Sequence, residues 1–241
     1  MCGIFAVIGS REVSSLLIDG LRKLEYRGYD SAGIATIDNL NNDQIGQLNV
    51  TKAKGKLINL SNLIKKKPPK GHVGIAHTRW ATHGKPNERN AHPHLDFSGQ
   101  IAVVQNGIIE NYRDLSSSLK LKGIKLTSET DTEIIPHLIG LEIEHSLANG
   151  LSPNEQTLLI AVQKVLTLLE GTYSIAVIWS KAPNALVVAR GQAPLVLGFG
   201  EGEFFCASDT PALTGFTRTF LPLRDHESAL LTPLGIELYD D

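Results

Sequence analysis

Five short clusters of polar residues in this 241-residue sequence have types and spacings that could carry chemistry. The first is Cys2, which stands between Met1 and Gly3. A small second residue favours removal of the initiator Met, which would leave Cys2 with a thiol and a free α-amine. A thiol titrates near ~8.5 and an α-amine near ~7.7–8.0, so the amine is a suitable acceptor for the thiol proton. The pair predicts a nucleophile with its own base, although an incidental Cys explains the same residues.

The second cluster has the sequence YRGYDSAG and joins a helical pattern to a strand-like run. Its glycines permit a tight loop. We predict that Arg27 and Asp30 pin this loop by an ion pair, and direct contact with a substrate is the alternative role.

The third cluster, HTRWATHG, leaves a strand-like run and enters a loop. An Arg beside a Trp presents a fixed, planar set of donors to a carboxylate, which Arg79 and Trp80 provide. Thr82 and His83 add hydrogen-bonding groups, and Gly84 supplies a hinge. The alternative is that Arg79 pairs with a structural Asp and Trp80 belongs to the core.

The last two clusters each allow two interpretations. Asn106 and Gly107 are the commonest pair in tight turns, but an Asn amide and a Gly N–H also suit an oxyanion hole. The segment SETDTE precedes a helical pattern, where Thr130 or Asp131 would serve as an N-cap. Asp131 would alternatively bind the ammonium group of a substrate. Spacing alone does not separate these interpretations.

Several function classes are excluded by the sequence. His77, His83, His92 and His94 lie close together, but Pro93 separates the last two and no HExxH or Cys-rich set accompanies them, so we predict no metal site. The sequence has neither a Walker A loop nor a GxGxxG motif, so we predict no cofactor.

The composition fits a globular protein of the cytoplasm. Apolar residues make up 42% and charged residues 20%, and the net charge of −2 argues against nucleic-acid binding. No run approaches the roughly 20 apolar residues of a membrane span, and no secretory signal opens the chain. The basic run at 65–70 is predicted to be a solvated loop. Two cysteines, Cys2 and Cys206, make a disulfide framework improbable.

The elements that must position these clusters follow from apolar spacing. Helices are predicted after residue 130, over 154–170 with Asn154 as N-cap, and on the face formed by Val13, Leu16, Leu17, Leu21 and Leu24. Ten strands are predicted, at 3–9, 32–37, 73–77, 101–105, 174–179, 186–189, 195–199, 204–207, 229–232 and 236–239. Because these strands are apolar on both faces, we expect stacked sheets covered by helices.

In this order, the motifs CGIFAVIG, YRGYDSAGIA, HTRWATHG, NAHPH, QNGIIEN and SETDTE resemble the glutaminase domain of the N-terminal-nucleophile (class II) glutamine amidotransferases. The resemblance covers most of residues 2–240. It implies an α+β fold, namely a four-layer αββα sandwich with two stacked antiparallel sheets between helical layers. It also implies one glutaminase domain over 2–241.

The resemblance further implies a role for each candidate residue. Cys2 would be the nucleophile with its α-amine as general base, and Arg27 would support it. Arg79 would hold the α-carboxylate of L-glutamine and Asp131 its α-ammonium group. The remaining roles are the loop that covers glutamine, with Trp80, Thr82 and His83, and the oxyanion hole, with Asn106 and Gly107.

Two motifs, WATHG and ETDTE, are typical of the branch of this family that aminates a sugar phosphate. In that branch the ammonia serves glucosamine 6-phosphate synthesis, and two sugar-isomerase domains that bind fructose 6-phosphate follow the glutaminase domain. Those domains are not part of these residues, and the full enzyme is expected to be a homo-oligomer. The alternatives are the glutaminase domain of another amidotransferase, such as an amidophosphoribosyltransferase, and a non-catalytic glutamine-sensing module.

Overall fold

Short strands dominate the computed structural model, which describes residues 2–39, 45–81 and 84–240. The helices are α1 (Ser14–Leu24), α2 (Leu57–Lys66), α3 (Tyr112–Leu121), α4 (Ile134–Ala148) and α5 (Glu155–Leu166). The first strands are β1 (Gly3–Gly9), β2 (Ser31–Asp38), β3 (Gln47–Lys54), β4 (Val73–Arg79), β5 (His94–Leu95) and β6 (Ile101–Ile109). The others are β7 (Gly171–Trp179), β8 (Ala182–Gly191), β9 (Val196–Phe199), β10 (Glu203–Ala207), β11 (Thr219–Pro222), β12 (Glu227–Thr232) and β13 (Gly235–Asp240).

These strands form two sheets. The first has seven strands in the order β11-β9-β10-β1-β4-β2-β3, and the second has six in the order β13-β12-β8-β7-β6-β5. Neighbouring strands pair antiparallel throughout both sheets. The central position of β1 in the first sheet explains why the chain opens with a run of buried apolar residues.

The alternation of side chains along each strand produces four layers. On β1, Ile4, Ala6 and Ile8 pack between the two sheets, whereas Phe5 and Val7 pack against helices α1 and α2. The second sheet repeats this arrangement, with its outer face covered by α3, α4 and α5. The predicted α+β sandwich, with helices outside two antiparallel sheets, is therefore confirmed.

All ten predicted strands are present, and several are longer than predicted. The sequence prediction missed α2, α3 and the strands β3, β5 and β11. The basic run was assigned wholly to a loop, but Lys65 and Lys66 end helix α2. Asn154 caps α5 as predicted, since its side chain accepts the N–H of Thr157 at 3.0 Å.

Helix α5 stops at Leu166 rather than at residue 170. In the next turn each hydrogen bond spans three residues rather than four. These bonds run from the Leu168 N–H to the Val165 carbonyl and from the Leu169 N–H to the Leu166 carbonyl. The longest helix described, α4, has 15 residues. Within the described ranges, no helix combines the length and the apolar character that crossing a bilayer requires.

Candidate active site

The antiparallel order of the first sheet brings three of the clusters to one end. Strand β1 begins there, its neighbour β4 ends there at Arg79, and β2 begins there, with Ser31 opposite Arg79. Cys2 therefore lies beside the end of β4. Gly3 permits this approach, because a Cβ at that position would lie 2.8 Å from Thr78 Oγ1.

Cys2 is half-buried and is held mainly through its backbone. Its carbonyl oxygen accepts hydrogen bonds from Arg27 Nε at 2.9 Å and from Asn106 Nδ2 at 3.3 Å. Its Sγ accepts the N–H of Trp80 at 3.3 Å. Burial raises the pKa of the Cys2 thiol, so the group is protonated at neutral pH and needs a base before it can attack a carbonyl carbon.

Arg27 links Cys2 to an acid that the sequence did not single out. Its Nη1 lies 3.1 Å from Asp209 Oδ2, which also accepts the hydroxyl of Tyr26 at 2.5 Å. The sequence predicted Asp30 as the partner of Arg27. Asp30 instead accepts the Ser31 hydroxyl at 2.9 Å and the backbone N–H of Ala81, so its carboxylate anchors the segment after β4.

Arg79, the last residue of β4, and Trp80, which follows it, lie in different environments. Arg79 is buried, and its Nη2 donates to the carbonyl of Gly84 at 3.3 Å. Trp80 is 46% exposed and packs edge-on against Tyr29, with ring centroids 5.3 Å apart. The interpretation of Trp80 as a core residue is therefore wrong. Thr82 and His83 lie outside the described residues.

Asn106 and Gly107 do not form a turn, because β6 continues through both of them to Ile109. Gly107 lies opposite Tyr173 with a φ of 108°, and a Cβ there would lie 1.9 Å from the carbonyl oxygen of Thr172. Only a glycine fits this position. The Asn106 amide points at Cys2 through Nδ2 and contacts His77 Nε2 through Oδ1, at 3.0 Å.

A stack of three buried histidines supports Asn106. The rings of His77 and His92 are stacked with centroids 4.1 Å apart, and His94 meets His92 edge-on at 4.9 Å. Burial lowers the pKa of His77 to about 3 and that of His92 and His94 well below the usual value, so all three are neutral near pH 7. Since Asn106 Oδ1 can only accept, neutral His77 donates to it from Nε2.

His92 and His94 are hydrogen-bonded to β6 and to the residue before the 3₁₀ turn Asp131–Glu133, respectively. His92 Nδ1 accepts the backbone N–H of Gln105 at 3.3 Å, and His94 Nε2 lies 2.9 Å from Thr130 Oγ1. From the sequence, these histidines were interpreted only as possible metal ligands, and that interpretation was set aside. Among the residues that the structure describes, no three His, Cys, Asp or Glu side chains are grouped to hold a metal ion.

Asp131 begins a 3₁₀ turn, Asp131–Glu133, that leads into α4. Its side chain does not cap that helix. Instead, the buried Oδ2 accepts the backbone N–H of Ile109 at 2.8 Å, which ties the turn to the end of β6. The carboxylate thus lies near the end of β6, two residues beyond Gly107.

One small cavity joins several of these groups. Its lining includes Cys2, Arg79, Trp80, Gly107 and Asp131, and its volume is about 20 Å³. That volume is room for a single water molecule, so a larger ligand must displace some of the lining. A thiol, a buried cation, a buried carboxylate and amide donors in one place suit acyl transfer on a zwitterionic ligand.

Comparisons with known proteins point to the same chemistry. A family model described as "Glutamine amidotransferase domain" matches residues 77–215. Curated relatives named "Glutamine--fructose-6-phosphate aminotransferase [isomerizing]" are 55% identical in Thermosynechococcus vestitus and 54% identical in Synechocystis sp., and each aligns with the whole of this chain. The chain spans only 36% and 37%, respectively, of the length of these relatives.

Solved structures show the same fold at lower identity. The glutamine phosphoribosylpyrophosphate amidotransferase of B. subtilis superposes with a TM-score of 0.81 at 24% identity, over 99% of this chain and 49% of that one. A structure titled as the allosteric regulatory enzyme of purine biosynthesis gives a TM-score of 0.82 at 25% identity, with the same coverage. From the family model, which matches more than half of its residues, we conclude that this chain belongs to the glutamine amidotransferase family.

Proposed function

We propose that this domain hydrolyses L-glutamine to glutamate and ammonia, with Cys2 as the nucleophile. The observation that carries the proposal is that Cys2, Arg79 and Asp131 line one cavity. A guanidinium and a carboxylate there provide opposite charges for the two ends of a free amino acid. The side-chain amide of the same amino acid would then reach the thiol.

In the bound state Arg79 holds the α-carboxylate of glutamine and Asp131 holds its α-ammonium group. Trp80, Thr82 and His83 belong to the segment that covers the substrate. The cavity of about 20 Å³ must enlarge to admit glutamine. Trp80 is the described lining residue best able to move, because nearly half of its surface is exposed.

Removal of Met1 would give Cys2 the base that it needs. The imidazoles nearest the site are poor bases, because burial holds the pKa of His77 and His92 far below neutrality. An α-amine titrates near ~7.7–8.0 and is better matched. Sulfur attacks the amide carbon and the amine takes the thiol proton. The amine then protonates the departing ammonia, and water hydrolyses the γ-glutamyl thioester.

Asn106 Nδ2 and the Gly107 N–H would stabilise the oxyanion of the tetrahedral intermediate. Asn106 Nδ2 already points at the Cys2 carbonyl. The His77 bond to Oδ1 orients the amide so that Nδ2, and not Oδ1, is directed toward Cys2. One such donor lowers a barrier by about 2.7–4 kcal/mol. Arg27 serves as a support, since it holds the Cys2 backbone rather than the cavity.

We expect Asn106→Ala to lower kcat about 10²–10³-fold with little change in KM, because the donor acts mainly in the transition state. His77→Phe keeps a ring on the stack but removes the donor to Asn106, so kcat should fall about tenfold or more. Steady-state glutamate release from both single variants and the double variant forms a complete cycle. In the Asn106→Ala background, His77→Phe should cost nothing further. Additive losses would show that His77 acts independently of Asn106.

The substrate assignment is tested by Asp131→Asn. We expect KM for glutamine to rise about 10–100-fold, because a charge-assisted bond to the ammonium group is lost. The Asn oxygen can still accept the Ile109 N–H, so the fold should be retained. Asp19→Asn, on the exposed surface of α1, is the matched control. An unchanged KM in Asp131→Asn would remove Asp131 from the substrate site.

The wider protein is proposed to be a glutamine–fructose-6-phosphate aminotransferase. Identities of 54–55% to relatives of that name support this assignment over an amidophosphoribosyltransferase, for which the solved structure is 24% identical. The ammonia would then pass to fructose 6-phosphate on sugar-isomerase domains, to make glucosamine 6-phosphate in a homo-oligomeric enzyme. We place the protein in the cytoplasm, in keeping with two free cysteines.

A further inference from the structure

A second and much larger cavity opens at the rim of the sandwich. Its volume is about 760 Å³, within the range of small-molecule sites, and it shares none of the described residues that line the cavity at Cys2. Residues from β3, α4 and the loops on either side of β5 and after α3 form its walls. Four cationic side chains line it, namely Lys52, Arg89, Lys122 and Lys125.

Lys52 is the most constrained of these cations. It lies on β3 opposite Gly33, and Ala35, two residues along from Gly33, packs between the two sheets. Side chains two apart on one strand share a face of the sheet, and so do residues directly opposite each other on paired strands. Lys52 therefore points to the same face as Ala35, toward the space between the two sheets at the rim. Burial lowers its pKa to about 8, although the charge of Glu133 acts in the opposite direction. In the described parts of the chain, its ammonium group makes no hydrogen bond or ion pair.

Two of the cavity's three carboxylates are already occupied by the protein. Asp96 accepts the backbone N–H groups of Gln100 and Ile101, both at 2.9 Å, and contacts Ser98 through backbone and hydroxyl. Glu133 accepts the Thr127 N–H at 2.7 Å, its hydroxyl at 2.8 Å and the Ser128 N–H at 2.6 Å. These contacts hold loops in place and use most of the lone pairs of both carboxylates, although each carboxylate keeps its negative charge.

The cations of the lining are not matched in this way. Arg89, Lys122 and Lys125 also form no ion pair within the described residues. Glu144 is the remaining carboxylate of the lining, so four cations face three carboxylates, of which only Glu144 has no hydrogen-bond or ion-pair partner within the described residues. The cavity therefore has a small excess of positive charge around a partly buried amine that makes no direct ion pair.

We propose that this cavity binds a small organic phosphate. Lys and Arg are the side chains that recognise phosphate oxygens, and a dianion would supply the direct ion-pair partner that Lys52 lacks among the described residues. Apolar side chains in the same lining, Leu95, Ile124 and Leu141, give the organic part a surface to pack on. The site lies behind the turn that carries Asp131, with Glu133 of that turn in its wall.

The test uses the 241-residue chain and inorganic phosphate as the probe, titrated by calorimetry at constant ionic strength. We expect saturable binding at pH 7 that weakens at pH 9.5, where Lys52 is deprotonated. Lys52→Met should weaken binding about tenfold or more. Lys66→Met, which removes an exposed charge from the end of α2, is the matched control and should bind as the unaltered chain does.

Three results would overturn the proposal. They are no saturable binding, equal weakening by Lys52→Met and Lys66→Met, and tighter binding of malonate than of phosphate, which would indicate a dicarboxylate site. If Lys52→Met does not fold, the double variant Lys122→Met/Lys125→Met on the exposed wall replaces it. That variant should also weaken binding about tenfold, and unaltered affinity would reject the site.

Discussion

Cys2→Ala is expected to abolish glutamate release, by at least ~10⁴-fold, and to leave the affinity for glutamine unchanged within a few-fold. The substitution removes the sulfur that forms the thioester. It keeps the backbone carbonyl that Arg27 and Asn106 contact, so the surrounding structure should persist. The expected structural loss is confined to Trp80, whose N–H donates to Sγ at 3.3 Å and whose carbonyl oxygen lies 3.7 Å from Sγ.

Calorimetric glutamine binding and an enzymatic glutamate assay on the same preparation check this prediction. Cys2→Ser is the companion variant, because it retains a weaker nucleophile and should retain trace turnover at most. Glutamine binding by the unaltered chain without any glutamate release would favour a glutamine-sensing module. Full turnover by Cys2→Ala would remove Cys2 from the mechanism.

Acidification should destabilise the domain steeply through the histidine stack. His77 has a pKa of about 3 in the folded chain, against an ordinary value near ~6.5, and the pKa values of His92 and His94 are also lowered. Above about pH 6.5 these histidines are neutral in both the folded and the unfolded chain, so they impose no protonation cost on folding. Below that pH the unfolded chain binds protons that the folded chain refuses, so stability falls with pH. Three such groups give a slope of up to about 4 kcal/mol per pH unit.

Urea unfolding at pH 7.0, 6.0 and 5.0 measures this slope. The range lies above the usual pKa of carboxylates, so Glu133, whose pKa is also lowered, contributes little to it. His94→Gln removes one of the three protons taken up on unfolding, so the slope should fall by about 1.4 kcal/mol per pH unit. His145→Gln, at an exposed position on α4, should leave it unchanged. Equal free energies of unfolding at pH 7 and pH 5 would contradict a neutral stack.

Much of the sandwich was predictable because its strands are short apolar runs of clear period. The segment Gly3–Gly9 was predicted with the bounds that the structure shows, since it is buried on both faces at the centre of a sheet. Strand β3 was missed for the opposite reason. It lies at an edge, with mostly half-exposed residues and two lysines, so its apolar signal is weak.

The candidate site was predictable where a motif pairs a chemical group with an element end. The end of β4 and the beginning of β1 do meet, which brings Arg79 beside Cys2. Contacts set only by tertiary packing were not predictable. Asp209 lies 182 residues from the Arg27 that it pairs with. The histidines could be counted in the sequence, but their stacking depends on how β4 of the first sheet packs against β5 of the second sheet and the loop before it.

Asn106 and Gly107 show how the same two residues change meaning with context. In isolation the pair predicts a tight turn. In the structure the pair lies inside a nine-residue strand. Gly107 adopts a positive φ there, and it has no Cβ to clash with the carbonyl oxygen of Thr172. Local propensity was outweighed by pairing with β7, which continues on both sides.

The measurement that tests the central claim most directly is glutamate release from L-glutamine by two forms of this chain. One form begins at Cys2 and the other keeps Met1, each verified by intact mass. We predict turnover from the form that begins at Cys2 and its loss in the form with Met1, because only the first has an α-amine on Cys2. Equal turnover by both forms would contradict an N-terminal cysteine that serves as both nucleophile and base.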